Sequence, residues 1–128
     1  SAHNAHKKHA HWLAIAIAAC EQCGRNRLPE LAQPQAISDA VSRECGPGSR
    51  CLLLMPGAPV TLAASAGGAT SITLLIGPEG GLEDGEAVAA ARHGFLAARF
   101  GPRVLRTETA ALAAITALQV MAGDLQGT

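Results

Sequence analysis

Three short, largely apolar runs along the chain predict buried β-strands. They cover residues 51–55, 71–76 and 95–100, and a turn that contains glycine and proline follows each of them. Unbroken runs of this kind are typical of strands in a parallel sheet that helices cover on both faces. Because ligands bind beyond the carboxyl ends of strands in such sheets, the three loops that follow the runs are candidates for one binding site.

The spacing of apolar residues also predicts helices. Trp12, Ile15 and Ala19 fall on one face of the first of them, since they recur every three or four residues.

Turn-forming residues predict a turn at 46–48 and a loop over 57–70. Helices and strands alternate along the chain, so we expect an α/β fold with a parallel sheet and helices on both faces. The predicted helices span residues 1–24, 38–44, 83–93 and 107–122.

Composition narrows the class of protein. The 128 residues suffice for one domain, and 48% of them are hydrophobic, which is enough for a core. Ten basic and ten acidic residues give a formal net charge of zero, so the whole-chain charge indicates no nucleic-acid footprint. No apolar run approaches the roughly 20 residues that cross a bilayer. Without an export signal, we expect a cytoplasmic protein with no membrane contact and with its four cysteines reduced.

Two patterns could indicate a metal site. Cys20 and Cys23 form a Cys-x-x-Cys pair, but they lie inside a predicted helix and no second pair stands at zinc-ribbon spacing. Thiols that pack the helix are therefore the favoured interpretation. His3, His6 and His9 recur every third residue, and a solvated first turn is favoured over a metal site there. We expect no metal.

The loop at residues 77–81 reads Gly-Pro-Glu-Gly-Gly and lies between a predicted strand and a predicted helix. Its glycines allow the backbone to come close to a ligand, although an ordinary turn is the alternative. The loop matches neither the Gly-x-Gly-x-x-Gly fingerprint nor a P-loop, because no Gly-Lys-Ser/Thr follows it. An ordinary dinucleotide or ATP site is therefore disfavoured.

A second Gly-Pro loop begins at Gly101. Arg103 and Arg106 flank two apolar residues, and Thr107 is placed to cap the last helix with Glu108 in its first turn. A solvated edge and simple capping are the alternatives. Two such loops in one small chain suggest a single site built from both.

These blocks resemble a known family. Residues 76–81 (Ile-Gly-Pro-Glu-Gly-Gly) and 101–110 (Gly-Pro-Arg-Val-Leu-Arg-Thr-Glu-Thr-Ala) closely resemble the signature of the bacterial ribosomal RNA small subunit methyltransferase E family. Residues 18–30 resemble that family's Ala-Glu-Gln-x-Gly-Arg segment. The three blocks occur in the family's order, and the resemblance covers nearly the whole chain.

The resemblance implies a SPOUT-type methyltransferase whose C-terminal part is threaded into a trefoil knot. It also implies S-adenosyl-L-methionine as cofactor, methylation of uridine N3 in small-subunit (16S) ribosomal RNA, and a homodimer. The expected partner is that RNA or the assembled small subunit. Another SPOUT enzyme acting on transfer RNA and a non-catalytic cofactor-binding or dimerisation fragment are the alternatives.

Family members carry an N-terminal RNA-binding barrel, and their methyltransferase domain begins with a strand-helix-strand unit. Both would precede residue 1, so we expect residues 1–128 to form a single methyltransferase domain truncated at its N-terminus. The last predicted helix has more apolar surface than one sheet face requires, which favours burial in a dimer.

Carried over residue by residue, the resemblance implies a cofactor pocket of three loops. Its apolar side chains and backbone amides suit an adenine ring, and Gly77 and Gly80 would shape its wall. Arg106 is expected to orient the substrate or to stabilise charge, while the general base is unassigned. The expected catalytic residues are Arg106, Glu108, Arg103 and Glu79. The expected cofactor-binding residues are Leu54, Met55, Pro56, Ile76, Gly77, Gly80, Phe100, Gly101, Val104, Leu105, Arg106 and Thr109.

Overall fold

The computed structural model describes residues 2–45, 48–123 and 125, without the side chains of Ala2, His3 and Glu44. The turn predicted at 46–48 falls largely on the two residues that lie outside this description. The chain divides into two compact units, residues 1–36 and 37–128, and each is described by itself. Within the described residues, no helix combines the length and the apolar character that crossing a membrane requires.

The first unit consists of a long helix, α1 (Ala2–Cys23), and the irregular segment that follows it. The ring of His9 links the two: its Nε2 lies 2.7 Å from the carbonyl oxygen of Leu31, and its Nδ1 lies 3.2 Å from Nε2 of the Gln33 side chain. Trp12, on the predicted apolar face of α1, is about half exposed.

The second unit contains all the strands of the described chain. Its elements run in the order α2 (Ile37–Glu44), β1 (Ser49–Leu54), α3 (Leu62–Ala66), β2 (Ser71–Ile76), α4 (Asp84–Arg92), β3 (Leu96–Ala98) and α5 (Thr107–Ala122). The strands form one parallel sheet in the order β2-β1-β3. In its register Leu52 lies opposite both Leu74 and Leu96. Because all three strands point the same way, their carboxyl ends lie at one edge of the sheet.

Both faces of the sheet are covered, which confirms the predicted α/β class. On one face Leu53 and Phe95 pack with residues of α2 and α4. On the other face Leu52 packs with Leu62 of α3 and Ala114 of α5. Adjacent residues of a strand point to opposite faces of the sheet. The central strand therefore needs apolar residues at consecutive positions, because it packs against helices on both faces. The trefoil knot stays a prediction.

The prediction of an irregular loop over residues 57–70 is wrong, because α3 lies within it. The hydroxyl oxygen of Thr61 accepts a hydrogen bond from the Ala64 amide at 3.1 Å and caps the helix. Leu62 is only 2% exposed and anchors the helix to the sheet. A five-residue helix is too short to show a repeating apolar pattern, so capping and burial of one leucine decide the structure here.

The expectation that all four cysteines are reduced thiols is also wrong, since Cys45 and Cys51 form a disulfide. Cys45 follows α2 and Cys51 lies in β1, and their Cα atoms are 5.9 Å apart. A Cα separation of this size is common among disulfides. The two residues are therefore close enough to form a disulfide, although the expected reducing compartment argued for free thiols. Cys20 and Cys23 are free thiols within α1.

Alkylation tests this pairing. Protein purified without reductant and then denatured should take up two alkyl groups, at Cys20 and Cys23, and reduced protein should take up four, as counted by mass spectrometry. The Cys45→Ser variant is the control and should take up three without reduction. Reduction should also lower the free energy of unfolding by roughly 2 kcal/mol, the value expected for so short a loop. Four groups added without reductant would contradict the disulfide.

Candidate functional site

The carboxyl ends of the three strands open into one cavity of about 310 Å³. Small-molecule sites have volumes of roughly 300–1,000 Å³, so the cavity lies at the lower end of that range. Its walls are the loops after β1, β2 and β3 together with the first turns of α4 and α5. The lining residues are Leu53, Leu54, Met55, Pro56, Ile76, Gly77, Pro78, Glu79, Gly81, Leu82, Asp84, Ala87, Phe100, Gly101, Arg103, Val104, Leu105, Thr107 and Ala110.

The first wall continues directly from the central strand. The amide of Met55 donates a hydrogen bond to the carbonyl oxygen of Ala98 at 2.9 Å, which extends the pairing of β1 with β3 by one residue. Pro56 and Gly57 then form a turn. The side chain of Met55 is exposed although it is apolar, because it borders the open cavity.

The second wall is the glycine-rich loop after β2. The amide of Gly81 donates to the carbonyl oxygen of Pro78 at 2.8 Å and closes a tight turn. Gly81 has a φ of +82°, a conformation that favours glycine, and it lines the cavity. A Cβ atom on Gly77 would lie 3.3 Å from the backbone nitrogen of Leu82, so this glycine leaves room for the chain to fold back.

The third wall follows β3 and has exposed apolar side chains at its rim. Gly101 begins it with a φ of +74°. Val104 is 77% exposed and Leu105 is exposed as well, and both line the cavity. Exposed apolar side chains around an open cavity are more typical of a surface that binds a ligand than of one that stays exposed to water.

A hydrogen bond joins the second and third walls. The hydroxyl of Thr107 donates to the carbonyl oxygen of Gly77 at 3.0 Å. The prediction that Thr107 caps α5 is wrong: the extended backbone of Arg106 places that residue at the N-cap, and Thr107 is the first helical residue. Its side chain therefore points at the neighbouring loop and fixes the distance between the two walls.

Three charged residues line the cavity: Glu79, Asp84 and Arg103. Glu86, which lies nearby, is used in capping, since its carboxylate accepts a hydrogen bond from the Glu83 amide at 2.9 Å at the start of α4. The cavity therefore offers two carboxylates and one guanidinium against otherwise apolar walls.

The structure brings most of the predicted site residues together. Nine of the predicted cofactor residues line the cavity, as do Glu79 and Arg103 from the predicted catalytic set. Gly80, Arg106, Glu108 and Thr109 lie outside the lining, and their roles stay predictions. The prediction did not include Leu53, Pro78, Gly81, Leu82, Asp84, Ala87, Thr107 and Ala110. Asp84 and Thr107 could have been included from the sequence, because each begins a helix directly after a loop that contains glycine.

Within the part of the chain that the structure describes, no group of three His, Cys, Asp or Glu side chains is placed to hold a metal ion. The predicted helix face with His6 and His9 belongs to that part, whereas the side chain of His3 does not.

The chain is similar to a protein family and to several relatives of known structure. Residues 1–119 match the sequence model of the RNA methyltransferase domain. The ribosomal RNA small subunit methyltransferase E of Buchnera aphidicola (subsp. Schizaphis graminum) is 41% identical over 119 residues, which are 93% of this chain and 48% of that protein. Its counterpart from Mycobacterium tuberculosis is 37% identical over 117 residues, 86% of this chain and 44% of that protein.

Solved structures agree with the sequence matches. The ribosomal RNA small subunit methyltransferase E of Neisseria gonorrhoeae, bound to S-adenosyl methionine, superposes with a TM-score of 0.85 at 36% identity, over 92% of this chain and 49% of that one. A Legionella pneumophila protein in complex with the bound cofactor SAM gives a TM-score of 0.81 at 41% identity, over 94% and 49%. The chain thus spans about half the length of these relatives.

Adjacent glycines provide a test of the second wall. Gly81→Ala should lower the free energy of unfolding by about 1 kcal/mol or more, because its positive φ strains any residue with a Cβ atom. Gly80→Ala is the matched control and should change it by less than about 0.5 kcal/mol, since a Cβ there has open space and φ is not positive. Urea unfolding measures both; equal losses would contradict the described turn.

Proposed function

Because the chain belongs to the RNA methyltransferase domain family, we propose that its cavity binds S-adenosyl-L-methionine for the methylation of small-subunit ribosomal RNA. The observation that carries the proposal is the open, apolar cavity at the carboxyl edge of the sheet, in a chain that resembles two structures solved with that cofactor. The name of the curated relatives supports ribosomal RNA as the substrate.

The residues of the cavity fit this cofactor. Leu54, Leu105 and Ala110 offer apolar surface to an adenine ring, and Gly77, Gly81 and Gly101 line the cavity without a side chain. The cofactor also carries a positive sulfonium and an ammonium group. Glu79 and Asp84 place negative charge on the same cavity, which favours a cationic ligand.

We propose uridine N3 as the methylated atom. S-adenosyl-L-methionine, when bound, supplies an electrophilic methyl group. Neutral uracil carries a proton on N3, so a group of the protein must accept that proton before or during the attack. Glu79 lines the cavity and is the carboxylate that we assign to this role. Arg103, on the opposite loop, would stabilise the negative charge that develops on the uracil oxygens.

We keep Arg106 and Glu108 as functional residues because the family resemblance implies a role for them. Both are exposed at the start of α5, outside the cavity lining. From there they would orient the incoming RNA, and correct orientation of two substrates lowers the barrier substantially. Gly80 and Thr109 would likewise act at the edge of the cofactor site.

We further propose that the protein works as a homodimer in the cytoplasm and has the SPOUT knot. Three apolar side chains on α5 support the dimer: Leu112 is 72% exposed, Ile115 51% and Val120 53%. An apolar helix face of this kind gains stability when a second copy covers it. The expected partner is the ribosomal RNA or the assembled small subunit. Because the net charge is zero, RNA binding requires a local basic patch or residues outside this chain.

Nucleoside analysis tests the proposed reaction. The full-length protein, small subunits that lack the modification and S-adenosyl-L-methionine should yield 3-methyluridine by mass spectrometry. Arg103→Ala should lower the rate by about 100-fold, as expected for loss of a group that stabilises developing charge. The control, Arg92→Ala, alters an exposed arginine at the end of α4 and should leave the rate unchanged.

Other outcomes separate the alternatives. Methylation of transfer RNA instead of small subunits would identify a different SPOUT activity. Saturable cofactor binding without methyl transfer by the full-length protein would leave a non-catalytic binding module.

A further inference from the structure

Arg99 holds two carbonyl groups of a neighbouring loop. It directly follows β3, and its half-buried side chain donates from Nη1 to the carbonyl oxygens of Ala58 and Pro59, both at 2.9 Å. Arg99 is absent from the cavity lining, so its guanidinium acts on the loop and not on a bound molecule.

The backbone of Arg99 reinforces the same attachment. Its amide donates to the carbonyl oxygen of Val60 at 2.8 Å, and its carbonyl oxygen accepts from the amide of Leu62 at 2.8 Å. These two bonds form a parallel bridge between Arg99 and Thr61, and with the side-chain bonds they attach the segment 58–62 to the end of β3.

The fastened segment is continuous with the first cavity wall. Met55 and Pro56 line the cavity, and the amide of Ala58 donates back to the carbonyl oxygen of Met55 at 3.2 Å. On the other side, Arg99 is followed at once by Phe100, which opens the third wall. One residue therefore sets the position of two walls relative to each other.

We propose that Arg99 is a positioning residue for the cofactor site: its guanidinium fixes the loop after β1 so that Met55 and Pro56 are preorganised for ligand binding. Preorganisation raises affinity because the loop need not be ordered when the ligand arrives. The proposal rests on the proposed function for the identity of the ligand, but its effect on the loop can be measured without any ligand.

Arg50 supplies a matched control. Its Nη1 also donates to two carbonyl oxygens, those of Ser65 and Gly67, both at 2.7 Å. It lies near the amino end of β1, and neither Arg50 nor its two partners line the cavity. The two arginines therefore make the same kind of bond at opposite ends of the sheet, and only one of them acts next to the site.

Hydrogen exchange and calorimetry test the proposal together. In Arg99→Ala the amides of Met55 and Ala58 should exchange at least about tenfold faster than in wild type, and affinity for S-adenosyl-L-methionine should fall by about tenfold. Arg99→Lys keeps a charged donor group, so its amide exchange rates and its affinity should lie between those of wild type and those of Arg99→Ala. Arg50→Ala should lower the melting temperature while leaving both the exchange of these amides and the affinity unchanged.

Three results would overturn the proposal. The first is unchanged exchange at Met55 and Ala58 in Arg99→Ala. The second is faster exchange with unchanged affinity, and the third is an equal loss of affinity in Arg50→Ala, which would reflect general destabilisation. If wild type does not bind S-adenosyl-L-methionine at all, the proposed function fails, and the exchange measurement still decides whether Arg99 orders the loop.

Discussion

The parallel register of three strands is the constraint on which the site depends. The last residue of β1, Leu54, pairs with Ile76 of β2 and with Ala98 of β3, so all three strands end at the same level. The chain must leave the sheet there three times, and three loops gather at one edge. The register is itself fixed by burial, because a shift of one residue in β1 would exchange the side chains that serve the two faces of the core.

Hydrogen bonds between the loops then fix the shape of the cavity. The hydroxyl of Thr107 links the third wall to the second through Gly77, and Arg99 links the third wall to the first through two carbonyl groups. The apolar core holds the strands, whereas these few directional bonds hold the walls. The exposed apolar rim, with Val104 as its most exposed member, is the part that only a ligand or a partner would cover.

Local chemistry in the sequence predicted much of this arrangement. The apolar runs indicated β1 and β2 as buried parallel strands, and their following loops indicated the cavity. The short helix α3 escaped prediction because five residues show no periodicity, and its stability comes from a cap and one buried leucine. The bond from Thr107 to Gly77 was equally invisible, because it joins residues 30 positions apart that the sheet brings together. The Cys45–Cys51 disulfide was missed for another reason, since the expected compartment argued for reduced thiols.

The central claim is that the three loops at the carboxyl edge bind S-adenosyl-L-methionine as one site. Titration of ¹⁵N-labelled chain with this cofactor, followed by amide chemical shifts, tests it most directly. The account predicts saturable shifts concentrated at Met55, at Gly77 and residues 79–82, and at Gly101 and residues 103–107, one group from each wall. Absence of saturable shifts, or shifts confined to residues outside the cavity, would contradict it.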